Sequence, residues 1–393
     1  MAKIVATTGN SAMAYAMKQI NPDVCAAYPI TPSTQVMEEF SKYVADGVVN
    51  TNLVTVESEH SAMSACIGAA AAGGRVLTAT SANGMALMWE MLYIAAGMRL
   101  PIVMALINRA LSAPINIHCD HSDSFGARDT GWIQLYSENA QEAYDNLIQA
   151  VRISEHPDVR LPVMVCQDGF IISHSIERME YLEDDEVRKF IGDYTPMYAL
   201  LDIDKPVTLG SLDLQDYYIE HKRQEAEAMK LATPVIAAVA KDFEKMTGRA
   251  YGLFESYHLD DAEVGIVAVN SAAGTIKEII DQYRRKGVKV GLLKPRLYRP
   301  FPTEAYVKAL GHLKAITVLD RVDSFGAMAG PLMMEVRAAL YDLPERPVTI
   351  GKIYGLGGRD LEESHCQYVI DELVQIAASG KYRELCEYIT VRE

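Results

Sequence analysis

The sequence predicts an α/β protein with two domains, each built on a mainly parallel sheet that helices cover. Short apolar runs alternate with helix-favouring segments from VCAAYPI (24–30) onward, which is the pattern of βα units. The same alternation starts again at EVGIVAVN (263–270), after a long polar stretch. With 393 residues and 49% apolar side chains, the chain is long enough for two separate cores.

The first domain contains the longer series of βα units. Its apolar runs are VCAAYPI, LVTVES, RVLTATS, PIVMALINR and LPVMVCQDGF, and we predict helices over 34–44, 61–72 and 141–154 and in GMALMWEMLYIAAG. Between 184 and 260 the apolar rhythm weakens, and a polar, helix-favouring segment spans 218–245. This stretch is typical of a connection that lies on the surface.

The second domain repeats the pattern on a smaller scale. It has a helix over 275–286, the strand VKVGLLKPR, a helix after Pro302 and the strand AITVLD. We therefore predict a first domain with its surface connection over 1–230, a helical linker over 231–260 and a second domain over 261–393.

Charge and hydropathy exclude several classes of function. The net charge of −15, without any run of basic residues, argues against nucleic acid or an anionic membrane as a partner. The N-terminal segment lacks a basic region followed by an apolar core, and the most apolar stretch, 85–98, is interrupted by Glu90. We expect a cytoplasmic protein without a membrane span.

The six cysteines are scattered along the chain and form no C-x-x-C pair. We expect reduced thiols, because the cysteines show no pairing of the kind that staples small secreted domains. An iron–sulfur cluster is usually held by four closely spaced cysteines, so any cluster is expected in another chain. The cysteines occupy positions 25, 66, 119, 166, 366 and 386.

Ligands of an open parallel sheet bind beyond the carboxyl ends of its strands, where helix N-termini present unpaired N–H groups. After the first such strand comes YPITPST, in which Thr31 and Ser33 carry hydroxyls at the start of a helix. Either hydroxyl could simply cap the helix, which is the commoner role, or a carboxylate could dock there. The two interpretations are compatible.

The second and third strand ends also carry polar groups. Glu57 and Glu59 begin a helix of small residues, where a glutamate usually does no more than complement the helix dipole. The third strand end is the small polar turn from Ser81 to Gly84, which includes Asn83.

The fourth strand end places Arg109 directly after an apolar strand. A guanidinium can bind a carboxylate through two hydrogen bonds, so Arg109 opposite the Thr31 hydroxyl would form a site for a small 2-oxoacid. The alternative is a salt bridge to a neighbouring acid. The loop that follows, 110–123, contains His118, Asp120, His121 and Asp123, but adjacent loop residues seldom converge on one ion, and we expect no metal site.

These segments resemble a known family. AAYPITPST, VESEHSA, INRALSAPINI and DHSD followed by RDTGWIQ resemble, in order and spacing, the α subunits of pyruvate:ferredoxin oxidoreductases. LYRPFP (297–302), VLDR (318–321) and GLGGRD (355–360) are similar to the second domain of that family, so nearly the whole chain is covered. The resemblance implies a thiamine-diphosphate-binding domain of the pyrimidine type followed by a domain like the C-terminal domain of transketolase.

The resemblance also implies roles for individual residues. Glu59 would hydrogen-bond N1′ of the aminopyrimidine of thiamine diphosphate, and Thr31 and Arg109 would hold the carboxylate and carbonyl of pyruvate. Pro29, Ile30, Thr31, Ser81 and Asn83 would contact the cofactor together with Glu59, whereas Asn116 and Asp120 would belong to the substrate loop.

In that family the cofactor lies between this subunit and a β subunit, which is expected to hold the diphosphate and Mg²⁺. The [4Fe-4S] clusters are expected in γ and δ subunits, which pass electrons to ferredoxin, and coenzyme A accepts the acetyl group. The second domain is expected to serve packing and subunit contact rather than catalysis.

Three alternatives remain open on the sequence alone. The first is the same chemistry on 2-oxoisovalerate, 2-oxoglutarate or oxalate; oxalate would need further positive charge near YPITPST, which offers none. The second is a scaffold chain that has lost the chemistry; the presence of Thr31, Glu59 and Arg109 argues against it. The third, a nicotinamide-dependent dehydrogenase, lacks a G-x-G-x-x-G turn, and GLGG is predicted to form only a turn.

Overall fold

The computed structural model describes residues 3–392, and its helices and strands alternate as the sequence predicts. The strands are β1 (Lys3–Thr8), β2 (Val24–Ala27), β3 (Asn52–Thr55), β4 (Val76–Thr80), β5 (Ile102–Asn108), β6 (Ile133–Tyr136), β7 (Val163–Asp168), β8 (Ile176–Tyr181), β9 (Phe254–Tyr257), β10 (Val264–Ala268), β11 (Val290–Pro295), β12 (Leu297–Arg299), β13 (Ala315–Asp320), β14 (Val348–Ile353) and β15 (Cys386–Tyr388). The α-helices are α1 (Gly9–Ile20), α2 (Thr34–Ala45), α3 (Glu59–Ala71), α4 (Ala82–Leu87), α5 (Trp89–Gly97), α6 (Ser122–Gly126), α7 (Ala140–Glu155), α8 (Asp184–Ile191), α9 (Tyr218–Thr247), α10 (Ala272–Arg285), α11 (Thr303–Leu310), α12 (Pro331–Ala339) and α13 (Glu363–Ser379).

Two larger sheets organise the fold. The first has the strand order β12-β6-β7-β5-β4-β2-β3, and all its neighbouring strands are parallel except the pair β12 and β6. The second has the order β15-β14-β13-β10-β11-β9, in which only β9 is antiparallel to its neighbour. Strands β1 and β8 form a separate antiparallel pair. The predicted α/β class with two mainly parallel sheets is confirmed.

The two faces of the first sheet pack into different cores because successive side chains of a strand point to opposite sides. Val103 and Ala105 of β5 join a core that includes α1, α2, α7 and α9. Met104 of β5 joins a core that continues into Ile316 and Leu332 of the second sheet domain. One core is therefore shared by both sheets, whereas a third lies on the far face of the second sheet.

The connection between the sheets lies on the surface, as predicted. Residues 192–217 have no regular helix or strand, and most of them are exposed. Helix α9 follows, with Pro234 inside it, and packs on α7. The domain ranges 1–230, 231–260 and 261–393 stay a prediction; α9 spans the first division, and β12 crosses back to the first sheet.

Two further expectations concern the cysteines and the membrane. All six cysteines are free thiols, and all except Cys386 are buried. Within residues 3–392, none of the helices combines the length and the apolarity that a membrane crossing requires.

An ion cluster around the buried Lys294 joins the two sheet domains. Lys294 of β11 is 3% exposed and lies between Glu138, at 2.7 Å, and Glu255, at 2.8 Å, and it also contacts Glu142. Lys277 contacts Glu138 and Glu255 from α10. The carboxylates hold the pKa of Lys294 above its usual range, although burial opposes this.

Lys294→Met is expected to destabilise the chain by up to about 3–5 kcal/mol, because it leaves the partly buried carboxylates of Glu138 and Glu142 with less positive charge to pair them. Urea unfolding of the purified variant measures this loss. Lys289→Met is the matched control, since Lys289 is 55% exposed on its side chain and lies 4.0 Å from Glu263. Equal urea midpoints for both variants would show that the cluster does not hold the domains together.

A second prediction concerns Asp320, the last residue of β13. It is buried and accepts hydrogen bonds from the backbone N–H groups of Leu332, at 2.9 Å, and Met333, at 3.1 Å. Burial, with a smaller contribution from the charge of Asp323, raises the pKa of Asp320 to about 7. The folded chain therefore holds a proton that the unfolded chain releases near pH 4.

Because the folded chain binds this proton more tightly than the unfolded chain, the proton stabilises the folded state fully below about pH 4. This stabilisation is lost as the pH rises to about 7. Asparagine does not titrate, so Asp320→Asn does not lose this stabilisation. We therefore expect the difference in melting temperature, variant minus unchanged protein, to be larger at pH 8 than at pH 5. Calorimetric scans at both values test this, and a difference that does not change with pH would contradict it.

Candidate active site

The predicted strand ends lie at one edge of the first sheet. Strands β5, β4, β2 and β3 are successive and parallel, so their carboxyl ends face the same side. The structure thereby brings the segments of Thr31, Glu59, Ser81 and Arg109 to one edge, as the sequence predicts. Their functional roles stay a prediction.

The segment after β2 exposes the hydroxyl of Thr31, which a ligand could therefore reach. Thr31 is exposed, and its hydroxyl has no hydrogen-bond partner among residues 3–392. Ser33, not Thr31, is the N-cap residue of α2, and its hydroxyl donates to the Ile30 carbonyl at 2.8 Å instead of capping the helix. The side-chain amide of Asn10 donates to the Pro32 carbonyl at 2.8 Å, which holds the segment in place.

Glu59 is the first residue of α3 and is only 7% exposed. In the part of the chain that the structure describes, its carboxylate has neither a hydrogen bond nor an ion pair. A Cβ at Gly84 would lie 2.8 Å from Glu59 Oε1 and 2.5 Å from Thr80 Oγ1, so only glycine fits there. A buried acid without a protein partner is typical of a group that a ligand engages.

The turn after β4 supplies further polar groups. The hydroxyls of Thr80 and Ser81 are buried and lack hydrogen-bond partners among residues 3–392. Asn83 is exposed, and its side-chain oxygen accepts from the backbone N–H of Ser112 at 3.4 Å. Thr80 Oγ1 and Glu59 Oε1 both lie within 3 Å of the position that a Cβ would take at Gly84, so the turn after β4 packs directly beside the Glu59 carboxylate.

Arg109 is 7% exposed, and backbone carbonyls orient its guanidinium. Its Nη1 donates to Thr31 O and its Nε to Asn116 O, each at 2.8 Å. Within residues 3–392 no carboxylate forms a salt bridge with Arg109, so the alternative interpretation as a structural ion pair is wrong. The positive charge remains available for an anion.

Sequence reasoning missed the role of Asp123, which it considered only as a metal ligand. One carboxylate oxygen of Asp123 accepts from the backbone N–H groups of Ala82 and Arg109, both at 3.0 Å. The other accepts from Asn108 Nδ2 at 2.8 Å and from Ser124 N at 2.7 Å. Asp123 therefore joins the third and fourth strand ends, and burial raises its pKa to about 6.

A second buried group was also missed because its members are far apart in the sequence. Asp168 accepts from Cys119 Sγ at 3.2 Å and contacts His121 Nε2 at 2.8 Å, and these residues have the spacing of metal ligands. However, Asp168 also pairs with Arg321 at 3.3 Å and accepts from Asn270 at 2.9 Å. Because the guanidinium of Arg321 already pairs with the carboxylate of Asp168, we assign no metal to this group.

Asn116 and Asp120 hold the loop that follows Arg109. Asn116 Nδ2 donates to Gly357 O at 3.0 Å, and Asp120 accepts from the Ser122 hydroxyl at 2.6 Å and from Gly357 N at 3.3 Å. This loop and the segment 322–327 line a cleft of about 730 Å³ between the two sheet domains. The assignment of Asn116 and Asp120 to a substrate loop stays a prediction.

The fold and the site define a class: a transketolase-like pair of α/β domains with a buried glutamate at a sheet edge, which has no partner within residues 3–392. The chain resembles a solved 2-oxoglutarate:ferredoxin oxidoreductase from Magnetococcus marinus, with a TM-score of 0.75 and 19% identity over 95% of this chain and 65% of that one. It also resembles a split-gene transketolase, with a TM-score of 0.55 and 12% identity over 96% of this chain and 100% of that one. These likenesses support the fold alone.

Residues 15–241 match the family model of the thiamine-diphosphate-binding domain of pyruvate flavodoxin/ferredoxin oxidoreductases, and residues 262–366 match core domain II of pyruvate:ferredoxin oxidoreductase. The chain is 55% identical to pyruvate synthase subunit PorA of Thermotoga maritima over 98% of both chains. It is 47% identical to PorA of Methanocaldococcus jannaschii over 95% of both, and 41% identical to ketoisovalerate oxidoreductase subunit VorA of Pyrococcus horikoshii over 97% and 96%. The chain belongs to the pyruvate:ferredoxin oxidoreductase family, as the sequence motifs indicated.

Proposed function

We propose that this chain is the α subunit that supplies the aminopyrimidine side of a shared thiamine diphosphate site. The complete enzyme would convert pyruvate and coenzyme A reversibly to acetyl-CoA and CO₂ and pass the electrons to ferredoxin. The observation that carries this proposal is the carboxylate of Glu59, which is buried and unpaired within residues 3–392, at the sheet edge that also presents Arg109.

When bound, thiamine diphosphate would supply the electron sink for decarboxylation. Glu59 would hold a proton at N1′ of the aminopyrimidine, since its carboxylate has no competing protein partner in the described chain. Pro29, Ile30 and Thr31 would line one side of the ring, and Ser81 and Asn83 the other. Pro29, Thr31 and Asn83 are exposed, so a ligand at this edge could reach them.

Arg109 and Thr31 would bind the substrate. The Arg109 guanidinium is held by two backbone carbonyls and forms no salt bridge with a carboxylate among the described residues, so it would attract the carboxylate of a 2-oxoacid. The exposed hydroxyl of Thr31 would donate to the substrate carbonyl. Because Arg109 donates directly to Thr31 O, both groups would orient the same small acid.

The remaining groups would come from partner chains: a β subunit with the diphosphate and Mg²⁺, and γ and δ subunits with iron–sulfur clusters. The six cysteines of this chain support this division, because they are spread over both sheets and most of them are buried. The curated relatives are likewise named as subunits.

A second candidate substrate is 2-oxoisovalerate, because a ketoisovalerate oxidoreductase subunit is 41% identical over 97% of this chain. The higher identity of 55% to a pyruvate synthase subunit favours pyruvate. Coenzyme-A-dependent viologen reduction by the complex purified through this chain tests both, together with 2-oxoglutarate and oxalate. We expect pyruvate to give the highest kcat/KM in a complex that contains thiamine diphosphate and iron.

Preference for another acid in such a complex would refute the substrate and leave the chemistry in place. A chain that purifies without partners and without activity would refute the proposal in favour of a scaffold.

A further inference from the structure

We propose that the glycine turn of the second sheet domain, residues 355–358, positions the substrate-binding arginine of the first domain. The inference rests on the proposed function, because it concerns how Arg109 is held. It assigns the second sheet domain a part in the reaction beyond packing and subunit contact.

The turn follows β14 and approaches the loop after Arg109 through backbone atoms. Gly357 O accepts from Asn116 Nδ2 at 3.0 Å, and Gly357 N donates to Asp120 at 3.3 Å. The Asn116 side chain also accepts from His118 N at 2.6 Å, so one amide organises the loop and attaches it to the turn.

From Asn116 the contact continues to the proposed binding groups. The backbone carbonyl of Asn116 accepts from Arg109 Nε, and Arg109 Nη1 donates to Thr31 O, each at 2.8 Å. A displacement of Asn116 would therefore release one of the two carbonyls that orient the guanidinium. Misplacement of a binding group by about 1 Å can cost roughly 100-fold in rate.

The turn leaves no room for side chains. A Cβ at position 357 would lie 2.5 Å from Asn116 Nδ2, and one at position 358 would overlap Cβ of His118 and lie 3.2 Å from its Cγ. Both glycines also have positive φ angles, 63° at Gly357 and 87° at Gly358. The close approach of the turn to the loop thus depends on these two residues.

A buried arginine, Arg321, holds the turn in place through a hydrogen bond to its backbone. Arg321 Nε donates to Gly355 O at 3.2 Å, and Arg321 Nη1 pairs with Asp168 of the first sheet at 3.3 Å. Gly355 N donates to the Thr390 hydroxyl at 3.1 Å. The turn is therefore anchored to both sheets, whereas residues 112–116 of the loop, apart from Asn116, are exposed.

Gly358→Ala in the assembled complex tests this inference, with Gly287→Ala as the matched control. Gly287 lies in the same domain with a φ of 85°, and a Cβ there would meet nothing within 4 Å. The two substitutions thus place an L residue at nearly the same positive φ and differ in the contact with the loop. Asn116→Ala is the second variant, since it removes the link to Gly357 without adding bulk.

Two readouts are needed. Hydrogen–deuterium exchange of residues 110–121 in the complex without substrate should be faster by tenfold or more in Gly358→Ala and Asn116→Ala, and unchanged in Gly287→Ala. With the acid that the complex prefers, KM should rise by roughly 10- to 100-fold in Gly358→Ala, while thiamine diphosphate affinity stays within twofold. The exchange readout does not depend on the identity of the substrate.

Exchange in the loop that is unaltered in both variants would overturn the inference. So would faster exchange without a change in KM, because the turn would then order the loop without positioning Arg109. If Gly358→Ala does not assemble, the same two readouts on Asn116→Ala decide the question.

Discussion

Glu59→Gln is expected to lower the turnover of the assembled complex by roughly 10²- to 10⁴-fold, the usual contribution of a positioned proton-transfer group. Glutamine has the same shape but cannot hold a proton at N1′ as an acid does. The melting temperature should not fall, because the change neutralises a buried carboxylate that has no partner in the described chain. Steady-state viologen reduction and calorimetry measure the two effects.

Glu57→Gln is the matched control for this prediction. Glu57 lies two residues earlier at the same helix start, but it is exposed, and its carboxylate accepts from the Ser61 hydroxyl. Its replacement should leave turnover within twofold. Turnover within tenfold of normal in Glu59→Gln, or an equal loss in both variants, would contradict the role given to Glu59.

Arg109→Lys is expected to lower kcat/KM for pyruvate by roughly 10- to 150-fold, since hydrogen bonds to charged groups contribute about 1.5–3 kcal/mol. The guanidinium donates to two carbonyls, and no carboxylate of residues 3–392 pairs with its charge. A lysine ammonium cannot match that planar arrangement and bind a carboxylate as well. The loss should appear mainly in KM, with thiamine diphosphate affinity unchanged.

Arg99→Lys is the control, because Arg99 also donates to backbone carbonyls, those of Arg160, Val159 and Gln224, but precedes β5 and so lies at its opposite end. Its kcat/KM should stay within twofold of normal. If Arg109→Lys lowers thiamine diphosphate affinity and not the affinity for pyruvate, Arg109 belongs to the cofactor site and the substrate assignment is wrong.

The sequence predicted the elements whose pattern is local. Helix 34–44 corresponds to α2 (Thr34–Ala45), and 141–154 to α7 (Ala140–Glu155), because amphipathic periodicity is encoded within a few residues; α7 also has a side-chain cap at Asn139. The convergence of the strand ends followed from parallel pairing. GLGG (355–358) was predicted to form a turn. Its contact with Asn116, more than 200 residues earlier, could not be predicted from the sequence.

The missed parts of the site are long-range hydrogen bonds. Asp123 joins Ala82 to Arg109, and Asp168 joins His121 to Arg321. The hydrophobic periodicity of a sequence predicts helices and strands, but it does not predict hydrogen bonds between residues that are far apart in the chain. The sequence also left open a salt bridge for Arg109, whereas the structure shows backbone carbonyls as its partners. A carbonyl acceptor can belong to any residue, so side-chain identity cannot predict it.

The most direct test of the central claim, that Glu59 of this chain controls a proton of thiamine diphosphate, is the exchange rate of the cofactor's C2 proton in the assembled complex. Quenched-flow NMR with the unchanged chain should show exchange faster than turnover, and Glu59→Gln should slow it by roughly 100-fold or more, with Glu57→Gln unchanged. Equal exchange rates in the unchanged chain and Glu59→Gln would contradict the account.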